Sequence, residues 1–179
     1  MTNGIETIAV MGAGEQGREI ACDALLAGYR TLLEDVSEHR LQQAADWIAS
    51  VSGEARSRLV LAGKIEEAVR EADLIVEAVA DEMEMKIEMF TIFDKFAKPN
   101  AILASSSRSV SIADLAEMTF CRERCIGLCF NSRDGQANAL ALVTAFHTSP
   151  ETVARCQEFG RRMGKEIMVV PDREFTESR

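Results

Sequence analysis

The fold is decided by the stretch Ile8-Ala9-Val10-Met11-Gly12-Ala13-Gly14-Glu15-Gln16-Gly17, in which an apolar run leads directly into three spaced glycines. Gly12 permits a tight turn, Gly14 lets the backbone approach a pyrophosphate, and Gly17 lets a following helix pack closely on the strand. Free amides at the start of that helix then hold phosphate groups. The stretch predicts a dinucleotide-binding loop with contacts from Gly12, Gly14, Gln16 and Gly17.

Short apolar runs alternate with amphipathic stretches along almost the whole chain. We expect strands at Thr7–Met11, Thr31–Glu34, Leu59–Leu61, Leu74–Val79, Ala101–Ser105, Cys125–Phe130, Ala139–Ala145 and Glu166–Val170. We expect helices at Glu15–Ala27, Glu38–Ser50, Ile65–Glu71, Glu84–Phe96, Ser111–Met118 and Ser149–Met163. Strands that are apolar on both faces and alternate with helices are typical of a covered parallel sheet. The predicted fold class is α/β, a doubly wound, mostly parallel sheet.

Composition narrows the class of protein. The 179 residues fit one domain, and the 47% that are hydrophobic can form a sizeable core. The net charge of −9 argues against nucleic-acid or anionic-membrane partners, because both need a basic face. No apolar run approaches the ~20 residues of a membrane span, and the N-terminus lacks a signal-peptide pattern. Five cysteines without framework spacing indicate reduced thiols and a cytoplasmic location.

An acidic residue follows the second predicted strand. Asp35 comes 18 residues after Gly17. A carboxylate at that strand end accepts hydrogen bonds from an adenosine ribose and repels a 2′-phosphate, so it favours NAD over NADP. No arginine immediately follows that would favour NADP. The alternative is that Asp35 is an ordinary acid at a helix start, just before Ser37.

Eight further short motifs lie outside the glycine loop. They are Ala-Gly-Tyr at 27–29, Asp-Val-Ser at 35–37, Ala-Asp-Leu-Ile-Val-Glu-Ala-Val at 72–79, Met-Lys at 85–86, Ala-Ile-Leu-Ala-Ser at 101–105, Ser-Val-Ser-Ile-Ala-Asp-Leu at 109–115, Arg-Cys-Ile-Gly-Leu at 124–128 and Met-Gly-Lys at 163–165. With the loop they resemble the NAD-binding domain of the 3-hydroxyacyl-CoA dehydrogenases, over nearly all of residues 5–175. The resemblance implies a Rossmann-type domain that binds NAD through the loop glycines and Asp35.

Two more cofactor contacts are implied by the resemblance. Lys86 stands where the family places a lysine near the nicotinamide side of the cofactor, and Asp81 replaces the family's glutamate there. Taken alone, Lys86 would be a solvated helix charge paired with an acid such as Glu82. Both interpretations of Lys86 stay open from the sequence.

The family's catalytic residues are not retained. Arg108 stands in place of the substrate-contacting serine, Cys129 in place of the catalytic histidine, and Ala141 in place of the glutamate that orients it. The family's asparagine is Asn131 if the match slips by one residue, and Ser132 if it does not. General acid–base catalysis contributes typically about 10²–10⁴-fold. The resemblance therefore implies a pseudoenzyme, with weak or no standard dehydrogenase activity.

The domain is expected to span residues 1–171, followed by a polar tail at 172–179. The family's helical second domain, which completes the active site and dimerises, is expected to have no counterpart here, and the hairpin that helps to bind coenzyme A is expected to be shortened. An apolar patch left exposed where that domain would dock predicts a homodimer or a partner protein.

The cysteines and Arg108 allow other interpretations. Cys121, Cys125 and Cys129 recur every four residues, which suggests a metal or redox site, although free cysteines are usually buried. Cys129 would be a reactive thiol if Arg108 lowered its pKa. Arg108 would either hold a carboxylate or phosphate or face solvent.

Three functions remain open. The first is an NAD-binding domain with impaired catalysis. The second is a working oxidoreductase that holds a different, anionic substrate through Arg108. The third is a regulatory module that responds to NAD(H) and binds a partner. The expected ligands are NAD(H) and an acyl-CoA or another small molecule.

Overall fold

The computed structural model describes residues 4–130 and 138–172. Within those residues, eight strands form one sheet with seven α-helices around it. The strands are β1 (Thr7–Met11), β2 (Arg30–Glu34), β3 (Leu59–Leu61), β4 (Leu74–Glu77), β5 (Ile102–Ser105), β6 (Cys125–Phe130), β7 (Ala139–Thr144) and β8 (Glu166–Pro171). The helices are α1 (Glu15–Leu26), α2 (Glu38–Val51), α3 (Gly53–Ser57), α4 (Ile65–Glu71), α5 (Met83–Phe96), α6 (Ile112–Ala116) and α7 (Pro150–Arg162). Asn131, Ser132 and most of the predicted polar tail lie outside the described residues.

The sheet has the strand order β3-β2-β1-β4-β5-β6-β7-β8. Its first six strands run parallel, whereas β7 is antiparallel to β6 and β8 is parallel to β7. The predicted doubly wound, mostly parallel α/β sheet is therefore confirmed. Chain order reverses between β1 and β4, and ligands of such sheets bind outside the carboxyl ends of the strands at this switch point.

Both faces of the sheet are covered, as the uninterrupted apolar runs predict. In β1, Ile8 and Val10 belong to the core cluster on one face, and Ala9 and Met11 belong to the cluster on the other. This alternation shows why the strand needs apolar residues at every position. No helix in the described segments is long and apolar enough to cross a membrane.

The predicted elements agree with the structure to within two residues at each end, but two short helical segments have no predicted counterpart. One is α3, which begins where the Ser52 hydroxyl accepts the Ala55 amide at 3.1 Å. The other is a 3-10 turn at Arg122–Arg124. Both are too short to show a hydrophobic period. The predicted strand Leu74–Val79 ends early because the Val79 amide turns back to the carboxylate of Glu77.

Candidate functional site

In the loop between β1 and α1, two glycines are required by the backbone geometry, and a third lies beside open space. Gly12 has a φ of +105°, and a Cβ there would lie 2.6 Å from the carbonyl oxygen of Ala78. A Cβ on Gly17 would lie 1.8 Å from the carbonyl oxygen of Gly12, so only glycine permits this contact. A Cβ on Gly14 would meet nothing within 4 Å. The space above Gly14 is thus open to a ligand.

The first turn of α1 presents backbone amides to that space. Its N-cap residue is Gly14, and no side chain among the described residues caps the amides. Uncapped amides at a helix start bind phosphate oxygens, so the loop fits the pyrophosphate of a dinucleotide. Gln16 donates from its side-chain amide to the Ser106 carbonyl at 3.2 Å, which ties α1 to the end of β5.

Asp35 lies beside this loop at the end of β2. Its Oδ2 accepts the Ala13 amide at 2.9 Å, and its Oδ1 accepts the Ser37 amide at 2.8 Å. The guanidinium of Arg40 also lies 3.1 Å from Oδ1. Asp35 therefore connects the loop to the start of α2 through hydrogen bonds. It lies at the strand end where Rossmann-type sheets carry the acidic residue. Arg40 is not among the predicted site residues. It contacts Asp35 only because the first turn of α2 brings residues 35 and 40 together, and this is not evident from the sequence.

Lys86 is buried rather than solvated. Its side chain is 1% exposed, and its Nζ lies 2.8 Å from Oε1 of Glu77 and 3.4 Å from Oδ1 of Asp81. The alternative of a solvated charge paired with Glu82 is wrong, because this face of α5 packs toward the sheet. The structure instead brings the two predicted contacts, Lys86 and Asp81, together.

Glu77 is a second site residue that the sequence interpretation missed. It is completely buried at the end of β4. Besides Lys86, it accepts the Ser105 hydroxyl at 2.6 Å and the Val79 amide at 2.8 Å. These donors offset the cost of burying a carboxylate. The sequence signal that could have identified Glu77 was a single acidic residue at the end of an otherwise apolar strand.

Asp81 extends this network into a cleft. Its Oδ1 accepts the hydroxyl of Ser107 at 2.5 Å, and the Ser107 hydroxyl oxygen accepts the amides of Ser109 at 3.0 Å and Val110 at 3.2 Å. The side chain of Asp81 is 49% exposed. Asp81 therefore links the loops that follow β4 and β5 and keeps a carboxylate at the surface.

The cleft has a volume of about 920 Å³ and lies beyond the carboxyl ends of β4, β5 and β6. Its inner end is lined by Asp81, Lys86, Ser107 and Arg108. Its outer part follows α1 as far as Trp47 on α2. It adjoins the glycine loop, so a dinucleotide lying on that loop would reach the inner end.

Arg108 is half-buried at this inner end, so it is not a solvent-facing arginine. Its guanidinium donates a hydrogen bond to the carbonyl oxygen of Phe130 at 2.6 Å. This bond draws the side chain toward the end of β6.

A comparison with known families agrees with this geometry. The model of the family described as "3-hydroxyacyl-CoA dehydrogenase, NAD binding domain" matches residues 7–173. The chain belongs to the 3-hydroxyacyl-CoA dehydrogenase family. It comprises the family's NAD-binding domain, and its cofactor is NAD.

Individual relatives extend beyond this chain. A 3-hydroxybutyryl-CoA dehydrogenase from Bradyrhizobium diazoefficiens is 31% identical, with 94% of this chain matching 62% of that protein. A fatty acid beta-oxidation multifunctional protein from Brassica napus is 26% identical, with 93% of this chain matching 25% of that protein. The crystal structure of 3-hydroxybutyryl-CoA dehydrogenase from Escherichia coli is 27% identical with a TM-score of 0.87, over 94% of this chain and 39% of that one.

The positions matched to the family's histidine and glutamate face each other across two strands. Cys129 on β6 pairs directly with Ala141 on β7. With Val143 they form a small buried apolar cluster. Burial raises the pKa of the Cys129 thiol to about 12, and the nearby Arg108 only partly opposes this. The prediction that Arg108 produces a reactive thiolate is therefore wrong, because burial outweighs its charge.

The cysteine spacing does not form a metal centre in the described segments. No group of three or more His, Cys, Asp or Glu side chains there is placed to hold a metal ion. Cys125 instead donates its Sγ hydrogen to the Cys121 carbonyl at 3.7 Å. All five cysteines are buried free thiols.

Proposed function

We propose that this family member binds NAD(H) with weak or no standard 3-hydroxyacyl-CoA dehydrogenase activity. The supporting observation is the Cys129–Ala141 pair at the positions of the family's base and its orienting acid. The Cys129 thiol donates to the carbonyl oxygen of Ser107 at 3.2 Å and has a pKa of about 12, so it is protonated and a poor proton acceptor. Ala141 offers no carboxylate. Losing such a base costs typically about 10²–10⁴-fold in rate.

The retained residues suit cofactor binding. In this proposal Asp35 holds the adenosine ribose, the amides of the first turn of α1 hold the pyrophosphate, and the nicotinamide end lies by Asp81 and Lys86. Bound NAD supplies the hydride chemistry of the family. The buried Glu77 fixes Lys86 at the inner end of the cleft, at 2.8 Å.

Calorimetric titration with NAD and NADH, together with an absorbance assay at the nicotinamide band on 3-hydroxybutyryl-CoA, tests this function. Binding without turnover is expected. Turnover by the unmodified protein at the rates usual for such enzymes would overturn the loss of activity. The triple variant R108S/C129H/A141E tests the residue matching, and any gain in turnover over the parent chain would support it.

A second candidate function is an oxidoreductase with an anionic substrate. Arg108 favours it, because its guanidinium lines the cleft beside Ser107 and Phe130. A guanidinium there would hold a carboxylate or phosphate. The test is turnover of short hydroxy acids without coenzyme A, which Arg108→Met would abolish.

We further propose a homodimer or a partner protein, in the cytoplasm. On the edge strand β8, Met168 is 39% exposed and Val169 is 48% exposed, and an exposed apolar edge strand is a surface that another chain can cover. The five free thiols fit a reducing compartment.

A further inference from the structure

The inner end of the cleft carries four charged side chains, two acidic and two basic. Glu77 and Asp81 supply two carboxylates, and Lys86 supplies one ammonium group. Glu77 is fully buried and lies 2.8 Å from the ammonium, so these two charges largely cancel. Asp81 is farther from the same nitrogen, at 3.4 Å, and is 49% exposed. Asp81 is therefore the exposed carboxylate that a ligand would meet here.

Arg108 supplies the second basic group of the inner end. The guanidinium of Arg108 is drawn to the Phe130 carbonyl at the end of β6, two strands away from β4. Glu15, in the first turn of α1, also lines the cleft. Asp81 lies in the loop after β4, next to the switch point between β1 and β4 where such sheets bind their ligands, and its bond to Ser107 reaches the loop after β5.

We propose that Asp81 makes this domain selective for the oxidised form of its cofactor. The inference rests on the proposed function, in which the nicotinamide end lies by Asp81. The ring of NAD+ carries a positive charge and the ring of NADH does not, while the rest of the two molecules is identical. A carboxylate beside the ring therefore stabilises only the oxidised form. Occupancy of the domain would then follow the ratio of NAD+ to NADH.

The test measures dissociation constants of the full chain for NAD+, NADH and ADP-ribose, which lacks the ring. Asp81→Asn removes the charge and keeps an oxygen for the Ser107 hydroxyl. It should lower the ratio Kd(NADH)/Kd(NAD+) about two- to tenfold, as expected for one partly exposed charge pair. ADP-ribose binding should not change. Asp81→Glu, which keeps the charge, should retain the parent ratio.

Glu82→Gln is the matched control, because it removes an exposed acid at the adjacent position that does not line the cleft. It should leave all three constants unchanged. An unchanged ratio in Asp81→Asn, or an equal loss for all three ligands, would overturn the selectivity. If the parent chain bound none of the three ligands, the proposed cofactor binding itself would fail.

Discussion

At the scale of single residues, the three loop glycines differ in what surrounds them, and Gly14 has only open space where a side chain would be. Its φ of −66° is accessible to alanine. We predict that Gly14→Ala folds with an unchanged melting temperature but binds NAD at least about tenfold more weakly, because the added methyl group occupies the path of the pyrophosphate. Thermal melts and calorimetry measure the two effects. Gly53→Ala, which also meets nothing within 4 Å, is the control and should change neither.

The thiol at position 129 gives a second residue-scale prediction. Since burial raises the pKa of Cys129 to about 12, the native protein should not alkylate there at pH 7–8. Mass-spectrometric mapping after brief iodoacetamide treatment should find Cys129 unmodified, whereas the denatured chain should be labelled there. Rapid labelling of Cys129 in the native protein would contradict this and restore the hypothesis of a reactive thiol.

At the scale of elements, Asp73 joins the starts of three neighbouring strands. Just before β4, it accepts the amides of Glu6 and Thr7 near the start of β1, at 3.1 and 2.9 Å, and lies 2.8 Å from Lys98, just before β5. Burial tends to raise the pKa of Asp73, but these hydrogen bonds and the lysine charge outweigh it and lower the pKa below 3.8. The carboxylate therefore stabilises the fold above that pH, and the stabilisation is lost as pH falls through the lowered folded-state value.

We predict that Asp73→Asn lowers the free energy of unfolding by about 1–3 kcal/mol at pH 7, as for a lost charged hydrogen-bonded group. The difference between variant and parent should shrink below about pH 4, where the unfolded chain begins to protonate this carboxylate, and be lost as pH falls through the lowered folded-state pKa. Urea unfolding between pH 3 and pH 7 measures both. Asp46→Asn removes an exposed acid on α2 and should produce a smaller loss. A difference independent of pH would contradict the role given to Asp73.

Elements were easier to predict from the sequence than the contacts between them. Apolar period, caps such as Ser149-Pro150 and the glycine loop are local signals, and the structure confirms the elements they indicate. The reversal of β7 was not predictable, because an apolar run has the same pattern in either direction. Glu77 and Arg40 were missed because the sequence does not indicate which residue a charged side chain in a strand or helix will contact in the folded chain.

At the scale of the whole molecule, one edge of the described sheet is an apolar strand with little in its middle to discourage pairing. Among the described residues β8 is the last strand of the sheet, and only Glu166 at its start and Pro171 at its end discourage pairing. Met168 and Val169 point to opposite faces and are both well exposed. An isolated edge of this kind associates with another strand or surface, which is the basis for expecting a homodimer or a partner.

We predict concentration-dependent association of the purified chain in sedimentation velocity at micromolar concentrations. Val169→Lys should weaken it, because a charge on an edge strand opposes strand pairing and covering of that face. NAD binding should be unchanged, since Val169 does not line the cleft. Met118→Lys, at a comparably exposed methionine beyond α6, controls for added positive charge and should leave association unchanged. A chain that sediments as a monomer at every concentration would exclude the homodimer, and the exposed edge would then require a different partner.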